Sequence, residues 1–300
     1  MFYSYFIYYF QIIFYNTYVI LINCNYLTLI KNLILFIIKL VINLENKKKL
    51  NIGILFFRLI SLIIILICIF LLYRWNSENN ENAEIADDLA NEFVNTSYEQ
   101  NNENSTSSSN YELLEINFDE LLNQNEDTVA WIKVNNTNIN FPIVQVDNNN
   151  FYLKHNFKKQ YNSAGWIFAD YTNNFDTLDK NTIIYGHNRR NNTMFSNLKS
   201  LLNPSWFNNE LNRYFYFNTK STNYIAKIFS VYKINQNKLN LFNSFENEES
   251  FNQFITEVKQ KSIYDFNLEI SFEDNLITLC TCDDNNKYRI VIYAKLESIN

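Results

Sequence analysis

Glycine and proline are nearly missing: the chain holds three Gly and two Pro in 300 residues, against roughly 7% and 5% in average usage. Collagen-like repeats and glycine-rich linkers are thereby excluded. Asn, Ile, Lys, Tyr and Phe fill the deficit, which we read as drift toward AT-rich codons. A chain that avoids Gly keeps one where the backbone demands it, so each survivor carries information. Positive charge is also short. Lysine and arginine number 25 against 31 acids, a net charge of −6, so no excess remains to grip a phosphate backbone and a general nucleic-acid binder is excluded. Cysteine occurs four times, at Cys24, Cys68, Cys280 and Cys282, too few and too poorly spaced for a disulfide scaffold. Histidine occurs twice, so any chemistry that needs an imidazole must use His155 or His187.

The charge is unevenly spread. Residues 1–75 carry seven bases (Lys31, Lys39, Lys47, Lys48, Lys49, Arg58, Arg74) and one acid, Glu45, leaving 18 bases and 30 acids for the remainder. A basic, apolar head on an acidic body is the pattern of a membrane anchor with a water-soluble domain. Gly53 to Tyr73 reads GILFFRLISLIIILICIFLLY, 21 residues with one charge, about the length that crosses a ~30 Å hydrocarbon core. We read 53–73 as a single transmembrane helix. Lys47, Lys48 and Lys49 put its first end in the cytoplasm and everything after Trp75 outside the cell. A cleaved signal peptide is the rival, but the apolar run exceeds a typical h-region and Arg74-Trp75-Asn76 offers no small-residue cleavage site. For residues 1–52, a hydrophobic and basic extension, two readings stay open: a second hydrophobic hairpin, or a start codon assigned upstream of the real one.

Residues 74–110 turn polar and acidic and end in NNENSTSSSN. Apart from a short helix near Glu84 to Val94, this stretch reads as an extended stalk. From 111 to 300 aromatic and β-branched runs return, enough for one core. VAWIKV (Val129 to Val134), INFPIVQV (Ile139 to Val146), GWIFA, TIIYG, YFYF, YIAKIFSVYKI, LITLCTC and YRIVIYAKL read as strands. Phe251, Phe254, Ile255 and Val258 follow helical spacing behind Glu246, Glu248 and Glu249, with Asn243 or Ser244 as the expected cap. The fold class is mostly β, a barrel with peripheral helices.

His187 follows the strand TIIYG, at whose end Gly186 permits close backbone approach, so it belongs at a rim; an ordinary surface His is the alternative. His155, in FYLKHNF, reads as a solvated surface residue. Cys282 is the last residue of NLITLCTC before the polar turn Asp283-Asp284-Asn285-Asn286, and Arg289 opens the returning strand. An antiparallel pair on so short a turn brings Cys282 and Arg289 together, and a guanidinium favours the thiolate over a thiol of ordinary pKa near ~8.5. A buried inert Cys, and a metal or redox Cys-x-Cys, remain open. A disulfide between Cys280 and Cys282 is disfavoured, because side chains two apart on a strand lie about 6.5–7 Å apart.

TLCTC (Thr278 to Cys282) resembles the TLxTC signature of sortases, an Arg on the next strand is that family's third element, and Tyr185-Gly186-His187-Asn188 is similar to its His motif. WIKVNNTNINFPIVQVDNNNFYLKHNF, GWIFADYTNN followed by HNRRNNTMFSNL, and the helix before the Cys strand resemble class B. The resemblance, over about Leu113 to Leu296, implies an eight-stranded barrel in a membrane-held cysteine transpeptidase, a thiol enzyme of the Gram-positive surface that needs neither metal nor cofactor. Cys282 would attack the Thr carbonyl of an NPxT-like sorting motif near the C-terminus of a secreted protein. An amine of peptidoglycan, or of its lipid-linked precursor, would resolve the thioester. His187 would be general acid and base, Arg289 would stabilise the oxyanion or orient the peptide, and Asn149, Leu153, Tyr185 and Cys280 would line the peptide groove. A catalytically inactive surface binding protein on the same scaffold is the competing expectation.

Overall fold

The computed structural model describes residues 52–98, 111–189, 192–282 and 287–299. The expected extension before residue 52, the Lys47 to Lys49 triplet, the NNENSTSSSN stretch and the Asp283 to Asn286 turn lie outside these described residues. The chain divides into two units, Met1–Asn76 and Ser77–Asn300. In the first, the described residues are helical and form the start of α1 (Ile52–Phe93). Its Phe56, Leu59, Leu62, Leu66, Ile67 and Phe70 are exposed, and an 18-residue window reaches a mean hydropathy of 2.8. Among the described residues this is the one helix long and apolar enough to span a membrane.

The second unit is built on a closed eight-stranded barrel. Ahead of it lie a two-stranded pair, β1 (Val94–Tyr98) and β2 (Glu112–Ile116), and α2 (Phe118–Gln124), capped by Asn117. The strands that follow are β3 (Thr128–Val134), β4 (Asn140–Val144), β5 (Phe168–Ala169) and β6 (Asn181–Gly186). After the short helix α3 (Pro204–Phe207) come β7 (Tyr214–Thr219) and β8 (Asn223–Asn235), then α4 (Glu248–Lys261), β9 (Leu276–Cys282) and β10 (Tyr288–Ile299). The barrel closes in the order β10-β8-β7-β3-β4-β5-β6-β9. Every apolar run read as a strand contributes one.

Alternation decides what each strand buries. Ile277 and Leu279 of β9 and Ile290 and Ile292 of β10 join the main core with Trp131, Ile132, Ile143, Trp166 and Ile184. The intervening Cys280, Val291 and Tyr293 belong to a second cluster. That cluster is covered by α4 through Phe251, Phe254, Ile255 and Val258, the four positions expected from spacing. The cap differs from expectation: it is Asn247, which forms a reciprocal box with Ser250. Asn243 instead accepts from Asn181 N through its carbonyl.

The short helix expected near Glu84 to Val94 is present, and the spacer expected ahead of it is corrected. Residues Ser77 to Phe93 continue as helix, with Asn82, Ile85, Ala86, Leu89 and Phe93 buried at three- and four-residue spacing. Ile85, Ala86, Leu89 and Phe93 belong to the main core alongside Phe118, Leu121 and Trp131. Four acids of this stretch, Glu84, Asp87, Asp88 and Glu92, face outward, which is why its composition reads as spacer. Two polar anchors add to the apolar stripe: Asn162 Nδ2 donates to the Glu78 carbonyl at 2.9 Å, and Asn82 Nδ2 to the Gly165 carbonyl at 2.7 Å. Removing a buried leucine leaves a cavity and typically costs about 2–5 kcal/mol. Leu89→Ala therefore lowers the stability of the domain by that amount in denaturant titration, whereas a residue on a free spacer would leave the midpoint unmoved.

Candidate active site

Strand β6 ends on Gly186, where an added Cβ would lie 2.6 Å from both Ile167 Cδ1 and Phe195 Cγ, so any side chain there would force the Phe195 ring to shift. His187 follows at once. Its Nε2 lies 3.0 Å from the Leu153 carbonyl, and a carbonyl only accepts, so the neutral ring carries its proton on Nε2 and leaves Nδ1 as the basic nitrogen. Gly165 forms the wall of the ring. It sits at φ +61°, and a Cβ there would be 2.6 Å from the Tyr152 carbonyl and 2.9 Å from His187 Cδ2. Burial holds the His187 imidazole below its ordinary value, the Leu153 hydrogen bond opposes this, and the positive charges of Arg189 and Arg289 push in the same direction as burial.

Strand β9 runs parallel to β6, with Gly186 opposite Thr281. The next residue after Gly186 is His187 and the next after Thr281 is Cys282, so the topology delivers both positions to the same end of the barrel. Strand β10 runs antiparallel to β9 and sets Arg289 directly opposite Cys282, a pairing that spaces Cα atoms by about 4.5–5.5 Å. Arg289 is half-buried, and its Nη1 is shielded from water with no hydrogen-bond partner among the described residues. A buried guanidinium donor left unpaired is costly unless something else is to accept from it.

Beside this end, Asp170 gathers donors from three segments. Tyr185 OH reaches its Oδ2 at 3.0 Å, Asn149 Nδ2 the same oxygen at 2.9 Å, and Thr172 donates twice to Oδ1. Burial would raise the Asp170 carboxyl, but these hydrogen bonds outweigh it and hold the group below its ordinary value. Tyr185 is pushed up by burial and by the Asp170 charge, so it remains a phenol donor. Asn149 and Tyr185 are thus brought together through a carboxylate that sequence reasoning did not single out, although it lies within the GWIFADYTNN segment. Leu153 contributes its carbonyl to His187. Cys280 faces Tyr185 across the β6–β9 pairing and is 3% exposed, packed within the cluster that holds Tyr293 and Phe254.

His155 is set apart from this group. It is half-buried rather than solvated, its ring stacked on Phe151 at 4.0 Å and its Nδ1 2.7 Å from the Phe151 carbonyl. Its contacts are those of a packed loop residue.

These features can be set beside known proteins. Residues 132–297 match the family described as Sortase domain. A Sortase B of Listeria monocytogenes is 34% identical over 244 residues, spanning 79% of this chain and 95% of that protein. Among solved structures, the sortase B of Bacillus anthracis in complex with AAEK1 superposes with a TM-score of 0.64 at 29% identity, covering 74% of this chain and 99% of that one. The Staphylococcus aureus sortase B-substrate complex gives 0.58 at 34% identity, with 61% and 85% covered. A barrel that brings a cysteine, a histidine and an arginine position to one end, matched over more than half its length to one family, makes this chain a member of the sortases, class B, and a cysteine transpeptidase.

Proposed function

We propose that the chain is held in the cell membrane by residues 53–73, with its barrel outside the cell. There it cleaves an NPxT-like sorting motif of secreted proteins after Thr and joins the Thr to an amine of peptidoglycan or its lipid-linked precursor. The observation that carries the reading is Arg289, which occupies the strand position facing Cys282 and whose buried Nη1 has no hydrogen-bond partner among the described residues. His187 first takes the Cys282 thiol proton on its free ring nitrogen; the resulting thiolate attacks the Thr carbonyl carbon, and Arg289 donates to the oxygen that becomes negative. His187 protonates the departing amine as the C–N bond breaks, leaving a thioester and a neutral imidazole. The incoming amine attacks that thioester, His187 removes its proton, and the Cys282 sulfur leaves with the electron pair. Asn149, Leu153 and Tyr185 orient the peptide, and Cys280 bears on it through the packing of Tyr185.

The thiol assignment separates two neighbouring cysteines. Cys282→Ala abolishes cleavage of a fluorogenic NPxT peptide, and Cys280→Ala keeps most of it; equal losses would contradict the assignment. Arg289→Lys keeps the charge but loses the planar fork, and lowers kcat by roughly 10²-fold with a smaller change in KM.

Titration follows from the position of His187. Because its folded value lies below the unfolded ~6.5, the unfolded chain takes up this proton first as the solution is acidified. The group's contribution to stability is intact above ~6.5 and declines as pH falls through the folded value. In the Cys282→Ala chain, the His187 Cε1–H resonance titrates below ~6.5 by NMR, and Arg189→Met, which removes one of the two repelling charges, moves its midpoint upward. A midpoint above ~6.5 would contradict the burial of this ring.

A further inference from the structure

Two backbone groups hold His187 in place: the Leu153 carbonyl, which receives its Nε2–H, and Gly165, which walls its Cδ2 edge. Both belong to one loop, residues 153–165, closed on itself by Asn162 N to the Lys154 carbonyl at 2.9 Å and Gly165 N to the Asn162 carbonyl at 3.0 Å. The outer side of that loop is fastened to α1 at four points. Asn162 Nδ2 reaches the Glu78 carbonyl, and Ser163 N and Oγ both donate to the Glu78 carboxylate. The Glu81 carboxylate accepts from Asn156 and Asn162, and Asn82 Nδ2 donates to the Gly165 carbonyl at 2.7 Å.

Asn82 stands apart from the other three contacts. It is fully buried, its Oδ1 has no hydrogen-bond partner among the described residues, and its donor ends on the residue in contact with the imidazole. A buried amide with one unsatisfied oxygen costs stability relative to an apolar side chain. In the apolar stripe of Ile85, Ala86, Leu89 and Phe93, an aliphatic residue would serve packing better. We infer that Asn82 is a positioning residue for His187, holding the Gly165 carbonyl so that the 153–165 loop keeps the imidazole in a single orientation and tautomer. Through Asn82 alone, the helix before the barrel then helps to position the imidazole, while its apolar stripe serves packing.

The test compares Asn82→Leu, of similar size but with no donor, with Leu89→Ala on the same helix, each in the full chain in detergent micelles. Both are made in a His155→Gln background, so that a single imidazole remains in the spectrum. Asn82→Leu is expected to lower kcat on the sorting peptide by roughly 10- to 100-fold, the scale set by a small misplacement. KM stays within about twofold, and the neutral His187 15N shifts pass from a protonated-Nε2 pattern to a tautomer mixture. Leu89→Ala is expected to lower the melting temperature while leaving kcat and the 15N pattern unchanged below the transition. Unchanged kcat and 15N shifts in Asn82→Leu would overturn the inference, as would equal tautomer mixing in Leu89→Ala, which would reduce Asn82 to general support. The inference rests on His187 as the acid and base. A parent chain that cleaves no sorting peptide would sink that reading by itself, and the tautomer comparison would still decide whether Asn82 orients the ring.

Discussion

The parallel pairing of β6 with β9 is the constraint on which the rest of the molecule depends. These strands are separated by some 90 residues, and their register alone decides whether the residue after Gly186 and the last residue of β9 meet at one end of the barrel. That register is locked from within: Thr278 Oγ1 donates to Asn181 Oδ1 at 2.7 Å, and Asn181 Nδ2 in turn donates to the Phe242 carbonyl at 2.7 Å. A slip by one residue would turn the core side chains Ile277 and Leu279 outward and separate the site positions together. The antiparallel return of β10 then needs only a short connection to set Arg289 against Cys282.

Around this frame the electrostatics divide into two neighbouring environments. On one side a half-buried imidazole is kept neutral by desolvation and by two guanidiniums. On the other, a carboxylate kept ionised by its donors ties Asn149, Thr172 and Tyr185 into one network. The 153–165 loop joins the His187 side to α1, so the orientation of the ring and the docking of that helix form one mechanical unit.

Much of this was legible from sequence because it rests on short-range periodicity. The apolar runs from VAWIKV to YRIVIYAKL alternate and became strands, and the spacing of Phe251, Phe254, Ile255 and Val258 marked the buried face of α4. The two histidines and the Cys-x-Cys narrowed the chemistry, and the near absence of Gly made Gly186 conspicuous before its contact with Phe195 was visible. Two features were not legible. The helix near Glu84 to Val94 was expected, but its buried stripe was hidden because it opens on an asparagine, Asn82, and four acids share the stretch to Phe93. Asp170 was hidden because its donors, at positions 149, 172 and 185, come together only when β5 and β6 pair. Long-range partners of that kind leave no local pattern.

The central claim is that the strand positions of Cys282, His187 and Arg289 form one reaction centre. Its most direct test is the crystal structure of the chain after reaction with a sorting-peptide analogue whose Thr carbonyl is replaced by a thiol-reactive mimic. The account predicts a bond from the mimic to Cys282 Sγ, with Arg289 Nη1 within about 3.2 Å of the mimic's oxygen and His187 beside the site of the departing amine. A bond to Cys280, or Arg289 turned away with its Nη1 still unpaired, would contradict it.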